Sequence, residues 1–320
     1  MLIPILLFAV GLVLLIKGGD WFVDGATGIA HIFHIPELLI GATVVSIGTT
    51  LPEVMVSATS ALGGHGEIAY GNALGSIICN TALVAALTIT IHPGPVDRST
   101  MKMPVLFFFL AAGYYALTAY GTGHFGRVTG AVLFGIFLVY MFCTVKQIKN
   151  SPKEEMSPGT VPEDEDMKKD LFLLIVGAVL IALGARLLVD NGTLIAQALG
   201  VPEAVIGLTF VALGTSLPEL ITAVTSLSKG HGALSLGNVI GANLFNLVLV
   251  SGVSSMLAPF DIPQNGTIAG FNSSLVLDIP VMLFVMAFLT VPALVRGKLS
   301  RTQGIVLLCI YAAFCMICFR

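Results

Sequence analysis

Two glutamates stand where carboxylates are costly. Glu53 and Glu219 each lie deep inside an apolar run, well away from its ends. A carboxylate in the middle of a membrane span costs about 2.5–3.5 kcal/mol on insertion scales. Each closes the same kind of hexapeptide, GTTLPE at 48–53 and GTSLPE at 214–219. Thr49 and Glu53 are four residues apart and share one helix face, and Thr215 and Glu219 repeat that spacing. Pro52 and Pro218 lack an N–H, and each ring presses on the carbonyl four residues back, that of Gly48 or Gly214. The spacing therefore predicts spans that unwind locally and free backbone oxygens to act as ligands. The next apolar run carries Asn72, Ser76 and Asn80 on one stripe, with Asn238, Ala242 and Asn246 as the matching positions. Carboxylates, hydroxyls, amide oxygens and carbonyls make a hard, all-oxygen set suited to Ca2+, Na+ or Mg2+ rather than Zn2+ or Cu+. Mg2+ keeps its water, so a dehydrating cage favours Ca2+ and Na+.

The elements that must hold these groups are membrane helices. Of 320 residues, 56% are hydrophobic and only 10% charged, with a mean hydropathy of +0.97. Soluble domains carry about 25% charged residues. A net charge of −3 gives no footing for nucleic acid. A span needs roughly 20 apolar residues. Ten stretches meet or approach that length, at about 2–17, 36–62, 67–92, 102–120, 127–147, 170–190, 202–228, 233–258, 273–295 and 302–319. The first has no basic n-region and no A-x-A site before Lys17, so it reads as a retained helix rather than a signal peptide. Placing the N-terminus outside puts twelve of the fifteen basic residues on one side and leaves Arg127, Arg186 and Arg320 on the other. Basic residues collect on the cytoplasmic side, so both termini are expected outside.

Residues 41–80 align with 207–246 at a constant offset of 166 without a gap, and 17 of the 40 positions are identical by direct count. Five spans precede the polar stretch and five follow it. Five is odd, so the second copy starts from the opposite side. The expected fold is an all-α polytopic membrane protein of ten transmembrane helices in a 5+5 inverted-topology repeat. Residues 1–148 form the first half, 149–169 a cytoplasmic linker and 170–320 the second half. This architecture recurs in secondary transporters, with the ion site at the midplane between the repeats.

Other features carry less. The linker acids, from Glu154 to Asp166, do not have EF-hand spacing and read as a solvated segment. Cys79, Cys143, Cys309, Cys315 and Cys318 lie in apolar runs without a CxxC pair and read as small buried hydrophobes. His65 and His231 both sit in GHG turns, which the topology puts on opposite sides, so they read as interfacial loop residues. Asp20, Asp24 and Asp190 fall at or beyond span ends and are expected to be solvated. Asp278, near the start of the ninth span, has no assigned role.

The paired runs GATVVSIGTTLPE with GNALGSIICN, and GLTFVALGTSLPE with GNVIGANLFN, resemble the two α-repeats of the sodium/calcium exchanger family, within the cation/Ca2+ antiporter superfamily. The length and short linker resemble its prokaryotic branch. The resemblance covers essentially the whole chain. It implies exchange of Na+ for Ca2+ across the cytoplasmic membrane by alternating access, with no enzyme activity and no cofactor beyond the transported ions. It places Ca2+ on Thr49, Glu53, Thr215 and Glu219. It places Na+ on Ser46, Thr50, Glu53, Ser76, Asn80, the carbonyl of Ala212, Ser216, Glu219 and Asn246, with Asn80 and Asn246 orienting the carboxylates. Two positions depart from the pattern. Ala242 stands where a Ser is common, which removes a hydroxyl from one Na+ site. Asn246 stands where some members, including potassium-dependent exchangers, have Asp, which weakens a K+-dependent reading. A Ca2+/H+ antiporter on the same scaffold is the nearest alternative, and the flanking hydroxyls favour Na+ over protons. A cation channel would need a pore lined by rings of ligands, and no HExxH, GxSxG or Walker pattern supports an enzyme.

Overall fold

The computed structural model describes residues 2–150, 167–198, 214, 216–264, 267–268 and 270–318. Hydrophobic residues run all round the helices, as lipid requires of a spanning bundle. The helices are α1 (Leu2–Ile32), α2 (Glu37–Leu62), α3 (Gly66–Ile91), α4 (Arg98–Gly121), α5 (Arg127–Asn150), α6 (Met167–Ala198), α7 (Leu217–Ser228), α8 (Gly232–Leu257), α9 (Ser274–Arg296) and α10 (Arg301–Cys318). Among the described residues, all of these except α7 are long and apolar enough to cross a membrane. The first part of the expected seventh span, and nearly all of the polar linker, lie outside the described residues.

The centre of the bundle is α2, α3, α7 and α8. Every residue of α8 from Leu234 to Phe245 is buried. Its backbone touches that of α2. A side chain at Gly237 would meet the Leu38 carbonyl group, and one at Gly41 would fall 2.9 Å from Asn238 N. Glycine is required here because the two helices cross with no room for a Cβ. Outside the centre, α1 and α6 lie along one another on Gly11, Gly18 and Gly25 of α1 and Gly177 and Gly184 of α6.

The repeat is written into the backbone. In α3 a π-helical turn spans Asn80–Ala85, and in α8 one spans Asn246–Ser251, the same offset of 166. The turns before these helices match as well. Gly64 and Gly230 have φ of 83° and 87°, a left-handed conformation open to glycine, and His65 and His231 follow as the N-caps. The two hairpin turns lie at opposite ends of the bundle. Gly66 packs on Phe260, just beyond the end of α8, whereas His231 bonds to Glu37 at the start of α2. The α2–α3 and α7–α8 hairpins therefore run in opposite senses.

Three expectations need correction. The first helix does not stop near residue 17 but continues to Ile32, packed on α6 through Gly18 and Gly25. Asp20 and Asp24 therefore lie within α1 rather than beyond its end; they stay accessible to solvent, as expected, and pair there with Lys229, whose Nζ lies 2.7 Å from Asp24 Oδ1 and 3.6 Å from Asp20 Oδ1. Asp190 is exposed at the end of the α6 span, as expected, 3.6 Å from Arg186. Only Cys79 among the cysteines is buried; Cys309 and Cys318 are exposed on α10, where the bundle faces lipid.

Candidate functional site

The π-turns and the α2–α8 crossing decide where the polar groups point. In α2 a third π-turn covers Gly41–Val45. It leaves carbonyls out of the regular ladder, and side chains take them up: Ser46 Oγ donates to Gly41 O at 2.7 Å, and Tyr140 Oη donates to Ala42 O at 2.8 Å. This corrects the expected unwinding at Gly48, since α2 runs through Pro52 as a continuous helix and the distortion sits one to two turns earlier. In the second copy the helix begins at Leu217, with Ser216 as N-cap and Pro218 in the first turn, where a missing N–H costs nothing.

Glu53 and Glu219 are both completely buried, and Glu53 lies within electrostatic reach of Glu219. None of their four carboxylate oxygens has a partner at hydrogen-bonding distance among the described residues. Thr49 and Thr50, from the first copy, lie against Glu219 in the second. Among the described residues, the hydroxyls of Thr50 and Ser216 and both polar atoms of Asn80 are buried and have no hydrogen-bond partner, as is the case for Asn246 Oδ1. Asn246 Nδ2 is held by Ala242 O at 3.0 Å, which turns its oxygen inward. Ser76 is buried on the same stripe. Unsatisfied polar atoms at this density are rare in native interiors and mark places where a ligand or ion completes the coordination. Of the sequence-expected ligands, Thr215 and Ala212 lie outside the described residues.

One contributor was legible only as a repeat position. Asn238 crosses from α8 to α2, where its Oδ1 accepts from Thr49 Oγ1 at 3.2 Å and from Ser46 Oγ at 3.3 Å, and its carbonyl accepts from Ser46 Oγ at 2.9 Å. Its mate Asn72 stays within the first hairpin, donating to Ser57 Oγ at 2.8 Å and the Glu53 carbonyl at 3.4 Å. Asparagine in an apolar helix signals a polar contact; the partner is set by the glycine crossing.

A cavity of about 730 Å3 opens at the end of the bundle where α1 ends and α2 begins. His31, His34, Glu37, His92 and Asp97 line it, and Leu38, Ile89 and Leu236 are among its inner residues. It does not reach the glutamates. His231, between the lining residues Gly230 and Gly232, is not a free loop residue: Nδ1 lies 2.7 Å from Glu37 Oε1, and that bond raises the imidazole pKa above its usual value. Asp97 caps α4. Burial works against its charge, but hydrogen bonds from Ser99 hold the carboxyl below its ordinary range.

A bundle that is apolar outside and lined at its centre by hard oxygens defines a multi-pass membrane protein that handles small cations. The chain belongs to the sodium/calcium exchanger protein family, whose model matches residues 3–146 and 169–320, on either side of the polar stretch. It is 35% identical to a putative antiporter of Alkalimonas amylolytica over 98% of both chains. It is 30% identical to the sodium/calcium exchanger MaX1 of Methanosarcina acetivorans, again over 98% of both. Its fold matches the sodium-calcium exchanger NCX_Mj soaked with 2.5 mM Na+ and 10 mM Sr2+, with a TM-score of 0.81, 34% identity, and 98% of this chain and 97% of that one covered. The chain is thus an ion-transporting membrane exchanger, and these relatives are exchangers rather than enzymes.

Proposed function

We propose that this chain exchanges Na+ for Ca2+ across the cytoplasmic membrane by alternating access. In this reading it is a ten-helix 5+5 inverted repeat, 1–148 and 170–320 joined by a cytoplasmic linker at 149–169, with both termini outside. The observation that carries the proposal is the pair Glu53 and Glu219, fully buried with no cationic side chain beside them among the described residues. Two carboxylates balance one Ca2+ or two Na+. The ions therefore compete for the pair, and that competition couples the fluxes. Thr49 and Thr215 complete the Ca2+ site. Ser46, Thr50, Ser76, Asn80, the carbonyl of Ala212, Ser216 and Asn246 hold Na+ on its flanks, with Ca2+ and Na+ the only small-molecule partners. An empty pair keeps two like charges in a medium of low dielectric, which disfavours passage of the unloaded site through the membrane. Such a carrier moves one ion only in return for the other.

Glu53→Gln and Glu219→Gln each remove half the negative charge and keep the shape. Each is expected to abolish uptake of radiolabelled Ca2+ into vesicles driven by a Na+ gradient while the purified protein stays monodisperse. A well-folded Gln variant with near wild-type uptake refutes the site. Uptake driven by a pH gradient, and not by Na+, identifies the proton-coupled alternative. Cysteines placed at 63–66 should label from outside and those at 150–168 from the cytoplasm; the reverse result overturns the orientation.

A further inference from the structure

The π-turn of α2 is gripped from two sides. On one side α8 crosses so closely that a Cβ at Gly241 would fall 2.6 Å from Ala42 Cα. On the other, Tyr140 of α5 reaches in and its hydroxyl donates to Ala42 O at 2.8 Å. Ala42 and Tyr140 are both wholly buried. Ala42 lies within the turn Gly41–Val45, and Ser46 is the first residue beyond it. The Tyr140 ring is fixed by edge contacts with Phe107 of α4, centroids 5.4 Å apart, and with Phe245 of α8, 6.0 Å apart. Phe245 immediately precedes Asn246, where the π-turn of α8 begins. One side chain of α5 thus reaches the irregular turns of both halves.

A carbonyl left out of the helical ladder inside an apolar bundle has no water to turn to, and leaving it unpaired is costly. A regular α-helical turn needs no donor from outside. The Tyr140 hydroxyl therefore favours the π-turn over the regular one. That choice sets where Ser46 points. Ser46 Oγ donates to Gly41 O, a carbonyl of the same turn, at 2.7 Å, and to the carbonyl and Oδ1 of Asn238 at 2.9 and 3.3 Å. Thr49, one turn on, donates to the same Asn238 Oδ1 at 3.2 Å. We infer that Tyr140 is a positioning residue for ion exchange: it holds the π-turn of α2 so that Ser46 stays on Asn238 and within reach of Na+. The inference rests on the exchange reading above, in which Ser46 is a Na+ ligand; Tyr140 itself acts through the backbone and meets no ion.

The test is Tyr140→Phe, which keeps the ring and its packing and removes only the donor. Na+-driven uptake of radiolabelled Ca2+ into vesicles is followed over a Na+ series, with melting curves on the same preparations. The Na+ concentration for half-maximal uptake should rise about fivefold or more, while the rate at saturating Na+ stays within about twofold of wild type. A tyrosine that only fills space would lower the amount of folded protein or the maximal rate and leave the half-maximal concentration where it was; that result overturns the inference. Ser46→Ala supplies a second reading. It should raise the half-maximal Na+ concentration by itself, and adding Tyr140→Phe to it should change little, because both act through one hydroxyl. Effects that multiply independently overturn the inference, as does a Ser46→Ala chain that matches wild type. A wild-type chain without Na+-driven uptake refutes the exchange reading and this inference with it. Wild-type uptake with an unmoved Tyr140→Phe curve refutes this inference alone.

Discussion

The crossing of α2 and α8 makes Gly241→Ala the sharpest single test of how the site is held. A Cβ at Gly241 would fall 2.6 Å from Ala42 Cα and 2.8 Å from the Ala42 carbonyl carbon, and would collide with Ser46 Oγ. Carbon atoms prefer separations of about 3.5–4.0 Å, so the two backbones must part by about 1 Å. Overpacking of this kind costs about 1–3 kcal/mol. Ser46 is displaced as well, and its bonds to Asn238, at 2.9 Å and 3.3 Å, are lost. A hydroxyl has one proton to donate, so together they contribute about 1 kcal/mol. The total, about 2–4 kcal/mol, should lower the melting temperature by several degrees. Part of it falls on the Na+-loaded state, in which Ser46 is proposed to bind. Each 1.4 kcal/mol on a binding equilibrium is about tenfold, so half-maximal exchange should need about tenfold more Na+. Gly113→Ala is the control, because that position has open space around it, and alanine favours the helix by about 1 kcal/mol. The assay is Na+-driven uptake of radiolabelled Ca2+ into vesicles across a Na+ series, with melting curves on the same preparations. If Gly241→Ala matches wild type in both, the backbone contact does not position the site and the reasoning fails.

Two further outcomes follow from single contacts. Ala242→Ser restores a hydroxyl opposite Ser76 in the repeat and should lower the Na+ concentration for half-maximal exchange; an unchanged curve would place residue 242 outside the Na+ coordination. The His231–Glu37 bond gives stability that is fully present below the imidazole's unfolded pKa of about 6.5 and fades as pH rises through its raised folded value. The wild-type protein should therefore lose thermal stability as pH rises above that unfolded value relative to His231→Gln, and parallel curves for the two would show that the pair contributes nothing.

Much of the architecture was legible because the costly residues are duplicated. Glu53 and Glu219, each behind a Leu-Pro step, and the Asn72/Asn238 and Asn80/Asn246 pairs fix the centre without any structure. What sequence missed has physical causes. Lys17, Asp20 and Asp24 look like the end of a span, and only the distant packing on α6 and the pairing with Lys229 show α1 carrying them onward. Pro52 promises unwinding at Gly48, yet a proline's lost hydrogen bond can be absorbed within a packed helix, and the irregular turn of α2 lies instead at Gly41–Val45. No residue type announces a π-turn, so those at Asn80–Ala85 and Asn246–Ser251 came only with coordinates. Asn238 stood on the right stripe, but its bonds to Ser46 and Thr49 join positions 192 and 189 residues apart, beyond the reach of any local pattern.

Those matched π-turns also tie the two copies together. A π-turn is one residue too many in a helical turn, and both copies hold it at the same place, beginning at the buried Asn80 and Asn246. Removing the extra residue from one copy alone would turn everything beyond it by about 100° about the helix axis, so the ends of α3 and α8 would no longer present matching faces to the rest of the bundle.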